Sequence, residues 1–224
     1  MTVKGRLIVI EGLDGSGKAT QTAQLYEHLK NKGVNVNKVS FPDYESDSSG
    51  PLRMYLSGKL GSSADDVNPY AASTLFAVDR FASFRANWGR AYEEGGIVIA
   101  DRYTTSNAVH QCSKLPEDKW DDFLKWLNEF EYSLIGIPEP DAVIYLRVDP
   151  DISQELLSKR YDSDESKKDI HERDENHLRR ARLAADYCAS KLGWHTVECI
   201  SGNKLRTVSD IAAEVAGIAD KILG

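Results

Sequence analysis

The run Gly12-Leu13-Asp14-Gly15-Ser16-Gly17-Lys18 constrains this chain more than any other feature. It directly follows the apolar stretch Leu7-Ile8-Val9-Ile10 and opens a helical pattern beginning near Lys18. Glycines let the backbone curl until successive N–H groups converge on one point, and the start of a helix adds the positive end of its dipole. Strand, glycine-rich loop and helix in that order form a cradle for phosphate, with the lysine placed for the β- and γ-phosphates of a nucleoside triphosphate. Gly12, Leu13, Asp14, Gly15, Ser16, Gly17, Lys18, Ala19 and Thr20 are therefore the candidate ATP contacts.

Such a loop belongs on an α/β sheet, and the rest of the chain supplies one. Short β-branched runs at Leu7 to Ile10, Val36 to Ser40, Ile97 to Ala100, Ala142 to Val148 and Thr196 to Ile200 alternate with helical patterns at about 18–32, 70–93, 118–132, 151–160, 172–192 and 207–222. This alternation predicts a five-stranded parallel sheet with helices on both faces, the architecture of P-loop kinases. In the pattern at 172–192, Leu178, Ala181, Ala185, Cys188 and Leu192 share one face, and Gly193 stands where a helix stops. A chain of 224 residues with 41% hydrophobic composition buries one sizeable core, so residues 1–224 are expected to form one domain. The polar stretch from Tyr161 to Lys168 reads as a surface loop between the two late helices.

Charge narrows the partners. A formal net charge of −7 lacks the basic footprint of a general nucleic-acid or membrane binder, so an anionic ligand must be met by a local cationic pocket. A small phosphorylated substrate fits, and neither nucleic acid nor membrane is expected as a partner. The first apolar run is too short for a signal segment or a membrane span, which leads to the expectation of a cytoplasmic protein. Cys112, Cys188 and Cys199 are widely spaced and form no C-x-x-C pair, so they read as free thiols.

One position breaks the motif. The residue after the lysine normally brings a hydroxyl to Mg²⁺, and here it is Ala19. Thr20 comes one residue late, about 100° further round the helix. A second phosphate-handling element follows the strand Ile97 to Ala100 as Asp101-Arg102-Tyr103. Ligands of open α/β sheets bind beyond the carboxyl ends of the strands, which puts Asp101 and Arg102 in the crevice of Lys18. Asp101 is the candidate metal ligand, accepting from the water shell of Mg²⁺, and Arg102 can fork onto a phosphate.

Beyond the phosphate loop, the chain carries Phe41-Pro42-Asp43, Gly50-Pro51-Leu52-Arg53-Met54-Tyr55-Leu56, Leu75-Phe76-Ala77-Val78-Asp79-Arg80, Asp101-Arg102-Tyr103-Thr104-Thr105-Ser106-Asn107-Ala108 and His171-Glu172-Arg173-Asp174-Glu175-Asn176. In order and spacing this combination resembles the thymidylate kinase family over nearly the whole length. The resemblance implies ATP-dependent phosphorylation of thymidine 5′-monophosphate to the diphosphate, in dTTP synthesis, with Mg²⁺ as cofactor and a homodimer as assembly. It implies that Phe76 stacks on thymine while Arg80 donates to a ring carbonyl, with both on one helix face at i, i+4. Phe41, Pro42 and Arg53 belong with the acceptor; Ser106 and Gln111 supply polar groups to the base edge; Asp14 accepts from the 3′-hydroxyl. The catalytic set implied is Lys18, Arg102, Arg173 and Asp14, with Arg173 in a lid at about 160–174 bringing the cation that the arginine-free loop lacks.

The chain departs from the family at Tyr44, where many relatives place a phosphate-gripping arginine, and at Asp174, where some have a tyrosine under the sugar. Two other readings share the loop: a kinase of another nucleoside monophosphate or a deoxynucleoside, and a non-catalytic nucleotide-binding protein. Phe76, Arg80 and Ser106 favour a pyrimidine acceptor.

Overall fold

A computed structural model describes residues 4–160, 175–202 and 204–224. The chain runs through β1 (Arg6–Gly12), α1 (Lys18–Asn31), β2 (Val36–Ser40), α2 (Gly50–Leu56), α3 (Pro69–Ser83), α4 (Gly89–Glu93), β3 (Ile97–Asp101) and α5 (Thr104–Cys112). It continues through α6 (Trp120–Asn128), β4 (Ala142–Arg147), α7 (Pro150–Arg160), α8 (Glu175–Leu192), β5 (His195–Glu198), β6 (Ile200–Ser201), β7 (Lys204–Leu205) and α9 (Val208–Leu223).

Five parallel strands form one sheet in the order β2-β3-β1-β4-β5. The first strand in the chain is the middle one in space, with Ile10 paired to Asp101 of β3 and Gly12 to Leu146 of β4. That register carries the phosphate loop and Asp101 to the same edge. Strands covered on both faces read as unbroken apolar runs, and Leu7, Ile8, Val9 and Ile10 are all fully buried. Their side chains alternate. Leu7 and Val9 join Val98, Ala100 and Tyr145 under α5, α6 and α8, while Ile8 and Ile10 join Ile99, Ile144 and Leu146 under α1 and α9. Each such side chain contributes about 1.5–3 kcal/mol, more than an exposed ion pair such as Arg90–Glu94, so the sheet centre fixes the fold.

The expected five-stranded architecture is present, with corrections at its margins. The last predicted strand breaks at Cys199 into β5 and the small antiparallel pair β6 and β7. The single helix expected over 70–93 is three segments: α3, a wider π turn over Phe84–Trp88, and α4. A Cβ on Gly89 would lie 2.4 Å from the Phe84 carbonyl oxygen, so a glycine is what lets the backbone close there. Two helices, α2 and α5, carried no clear apolar period and were not anticipated. On α8, Leu178, Ala181, Ala185 and Cys188 are buried as expected, but Leu192 is 38% exposed, because the helix stops at Gly193 (φ 68°) before that turn can tuck inward. All three cysteines are buried. Among the described residues, no helix is long and apolar enough to cross a membrane. The stretch from Tyr161 to Lys168 and the lid residues Arg173 and Asp174 lie outside the described residues.

Candidate active site

The phosphate loop closes on itself through Ser16 N–H donating to the Leu13 carbonyl at 3.1 Å, and Gly17 (φ 89°) starts α1 from a left-handed conformation that favours glycine. Lys18 is only 7% exposed and folds back over the loop, its Nζ donating to the Leu13 carbonyl at 2.9 Å and lying 3.6 Å from Asp14. Burial and the neighbouring Arg102 push its pKa down, while Asp14, Asp101 and Glu11 pull it back up. The Ser16 hydroxyl is buried and, among the described residues, has no hydrogen-bond partner. Ala19 and Thr20 are both exposed on the first turn of α1.

Asp14 is an acid inside an anion cradle, and the structure accounts for it. Its carboxylate is ion-paired with Arg102 and sits beside Lys18. Burial acts to raise its pKa, but Arg102 and Lys18 overcome that and hold it well below the usual carboxylate range. Lys18, Asp14 and Arg102 thus form an alternating row of charges across the crevice.

Arg102 follows β3 with φ 66°, a left-handed conformation uncommon for a residue that carries a Cβ and concentrated at functional positions. Its Nη1 donates to Ser106 Oγ at 3.1 Å and lies 3.8 Å from Glu11 Oε1. Glu11, 1% exposed, accepts from Gly12 N–H at 2.9 Å, Thr105 Oγ1 at 2.6 Å and Ser106 Oγ at 2.8 Å. Sequence reading passed over Glu11 because it sits inside an apolar strand. Ser106, read as a base contact, commits its hydroxyl to Glu11 and Arg102 from the first turn of α5.

Asp101 ends β3 half-buried, and among the described residues its carboxylate makes no hydrogen bond or ion pair. Burial raises its pKa, opposed by Lys18 and Arg102. No group of three or more His, Cys, Asp or Glu side chains among the described residues could cage a metal ion. A cation here would therefore take one free carboxylate and draw its other ligands from phosphate and water, the coordination that Mg²⁺ favours.

On the acceptor side, Phe41 packs on Tyr103 with ring centroids 5.8 Å apart, and its N–H donates to the Asp101 carbonyl at 3.0 Å, which ties Phe41-Pro42 to the crevice. Asp79 holds the following loop by accepting from Asp43 N–H at 2.8 Å and Ser48 Oγ at 2.9 Å. Arg53 Nη1 is bound to the same loop, to the carbonyls of Tyr44 at 2.8 Å and Ser46 at 3.0 Å and to Ser49 Oγ at 2.6 Å. Phe76 is half-buried, edge-on to Tyr55 at 6.2 Å. Arg80 is 1% exposed and engages Glu131 through Nε at 3.1 Å and through Nη2, with Nη1 reaching the Tyr103 carbonyl at 3.5 Å. Asn107 donates to Glu131 at 3.2 Å and to the Ser73 carbonyl at 3.3 Å, joining α3, α5 and the segment after α6. Gln111, on the same face of α5 as Asn107, is fully buried, and its amide nitrogen and oxygen both lack hydrogen-bond partners among the described residues. Arg179, Arg180 and Arg182 of α8 pair with Asp151, Asp65 and Asp186.

A parallel sheet with a glycine loop, a folded-back lysine and a guanidinium at the carboxyl ends of β1 and β3 defines a P-loop phosphotransferase. Within that class the chain belongs to the thymidylate kinase family, whose sequence model, described as Thymidylate kinase, matches residues 10–209. It is 33% identical over 193 residues to a thymidylate kinase of Mycobacterium tuberculosis, covering 84% of this chain and 87% of that protein. It is 32% identical over 173 residues to one of Plasmodium falciparum, covering 75% of each, and 31% identical over 163 residues to one of Caenorhabditis elegans, covering 67% and 66%.

Proposed function

We propose how this crevice carries out ATP-dependent phosphorylation of thymidine 5′-monophosphate, the activity that family membership gives the chain. The observation that carries the reading is the row Lys18, Asp14, Arg102 at one edge of the sheet. Loop amides and Lys18 hold the β- and γ-phosphates of ATP, and Lys18 gives up its bond to the Leu13 carbonyl for the phosphate. Arg102 bridges toward the acceptor phosphate, with Glu11 and Ser106 fixing its guanidinium. Asp14, kept ionised by its two cations, accepts from the 3′-hydroxyl of the acceptor sugar. Arg173, in a lid over about 160–174, adds positive charge to the transferring group and helps exclude water.

The base lies between α3 and α5. Phe76 offers a stacking face and Gln111 an amide whose donor and acceptor are both unspent among the described residues, which matches the alternating acceptor and donor edge of thymine. Arg80 reaches the same pocket from its Glu131 anchor. Phe41, Pro42 and Arg53 form the wall toward the acceptor phosphate. The test is an ADP-release assay over a panel of nucleoside monophosphates and deoxynucleosides. Thymidylate is expected to be the preferred acceptor, and Gln111→Leu to raise its KM about tenfold or more with the ATP KM unchanged, the cost of one lost polar contact to a buried base. Preference for a purine monophosphate or a nucleoside would overturn the base reading.

Mg²⁺ fits this site, because Asp101 presents a carboxylate that no other side chain claims among the described residues. When bound, the ion neutralises charge on the phosphates, and Asp101 holds it directly or through water. With no hydroxyl at Ala19, Ala19→Ser is expected to lower the Mg²⁺ concentration giving half-maximal rate; the residue is exposed, so the fold has room for the extra atom. An unchanged midpoint in a Mg²⁺ titration at saturating substrates would remove the first turn of α1 from the metal's surroundings.

One domain over 1–224 and a cytoplasmic homodimer complete the reading. Helix α3 turns Val78 (54% exposed) and Phe81 (42% exposed) outward at i, i+3, an apolar pair that a second copy can cover.

A further inference from the structure

Arg102 does not hold its place by acids alone. Its Nη1 also lies 3.4 Å from Nε2 of His110. A guanidinium has only donors, so His110 Nε2 must be a lone pair and the ring proton must sit on Nδ1. That Nδ1 lies 3.3 Å from Nε2 of His177 on α8, which makes His177 Nε2 the next acceptor. The His177 proton is thereby left on Nδ1, 3.4 Å from Ser113 Oγ, whose own hydrogen goes to the His110 carbonyl at 2.8 Å. One end of this chain, the arginine, fixes the direction of every bond in it.

Ring geometry agrees. The imidazole planes differ by 13° with centroids 5.5 Å apart. Nitrogens as close as 3.3 Å between nearly parallel rings that far apart require the rings to meet edge to edge, almost in one plane, which aims an N–H at a lone pair. Both side chains are enclosed, His110 at 6% exposure and His177 at 0%.

We propose that His110 and His177 are a neutral, proton-ordered pair of positioning residues that ties the Arg102 guanidinium to helix α8. The proposal rests on the role given above to Arg102, and extends it: the arginine that faces the phosphates is indexed to the helix that follows the lid segment. Protonating either ring would turn an acceptor into a donor and put two donors face to face. Burial first, then Arg102 and His177, hold His110 well below the ordinary histidine range, against the opposite pull of Asp14. Among the described residues, Arg102 from the turn after β3, Asp14 from the phosphate loop, Lys18 from α1 and His177 from α8 are charged and titratable groups that act on it.

Two measurements on the full chain test this. Ring-nitrogen NMR of ¹⁵N-histidine-labelled protein at neutral pH, assigned by single substitutions among the five histidines, is expected to find His110 and His177 both neutral and both protonated on Nδ1. His177→Leu is expected to lower kcat about ten- to a hundredfold, the scale of a misplaced reacting group, with the ATP KM within about twofold of the parent. His177→Gln, which can still accept from His110 and donate to Ser113, is expected to restore most of that loss. Wild-type kcat in His177→Leu, a charged ring, or an Nε2-protonated ring in the parent would each overturn the relay. The NMR result stands by itself if the leucine variant does not fold. Arg102→Ala, run alongside, separates the two ideas: full kcat there removes the role of Arg102, whereas lost kcat there with full kcat in His177→Leu removes only the relay.

Discussion

Arg102→Ala is expected to lower kcat by at least about a hundredfold, the loss seen when a preorganised charge donor is taken from a transition state. The effect should exceed the simple deletion of a contact, because Asp14 would remain. Its carboxylate stays charged because Arg102 and Lys18 outweigh the cost of burying it. Without the guanidinium, the row of charges would become one lysine facing Asp14, Glu11 and Asp101, and an incoming phosphate would meet net repulsion. Arg102→Lys restores charge but not the fork that spans Asp14 and Ser106, so it should recover only part of the rate. The backbone at this position gives a control. Arginine and alanine both hold φ 66° against a Cβ, so the change between them leaves backbone strain untouched, whereas Arg102→Gly should relieve it by about 1 kcal/mol while losing activity equally. Steady-state rates with both substrates saturating, beside thermal melts, separate these effects. A near-normal kcat in Arg102→Ala would mean that another cation carries the phosphoryl group.

What could be read from the chain and what could not divides along a physical line. Strands such as Leu7 to Ile10 and Ile97 to Ala100 announce themselves, because burial on both faces demands an unbroken apolar run. The phosphate loop announces itself because only glycines permit its curl. Helix α5 was not legible, although every residue in it except Ser106 is buried. Thr104, Thr105, Asn107, His110 and Gln111 are polar on every side, so no apolar period exists to find. Apart from Gln111, their partners are polar groups elsewhere in the chain: Glu11 lies 94 residues from Thr105, and His177 lies 67 from His110. Local spacing cannot encode such pairs. The same limit applies to Arg80. Its place on one helix face with Phe76 was readable, but its partner is 51 residues away in a π turn, and nothing near Glu131 in sequence marks it as the counter-ion of a buried arginine.

That pair carries the largest expected effect on stability. Glu131→Ala should destabilise the protein by about 3–5 kcal/mol, because the Arg80 guanidinium, 1% exposed, would be left charged in the interior and, among the described residues, with the Tyr103 carbonyl at 3.5 Å as its remaining acceptor. Domains of this kind are stable by about 5–15 kcal/mol in all, so the variant should unfold at markedly lower urea. Asn107 would lose one of its two acceptors but keep the Ser73 carbonyl, so the arginine dominates the cost. Simple deletion of Arg80 is equally ambiguous: it strands Glu131, and a raised thymidylate KM in Arg80→Ala could come from a disturbed pocket rather than a lost base contact. Replacing both partners resolves this. Arg80→Met with Glu131→Leu removes both charges and fills much the same space, and such exchanges of buried ion pairs are commonly close to neutral for stability. The double variant is therefore expected to regain most of the urea midpoint lost in Glu131→Ala, while its thymidylate KM rises at least about tenfold and its ATP KM holds. A double variant that is stable and binds thymidylate normally would leave Arg80 as part of the core alone and pass the reading of the base to Gln111 and Phe76.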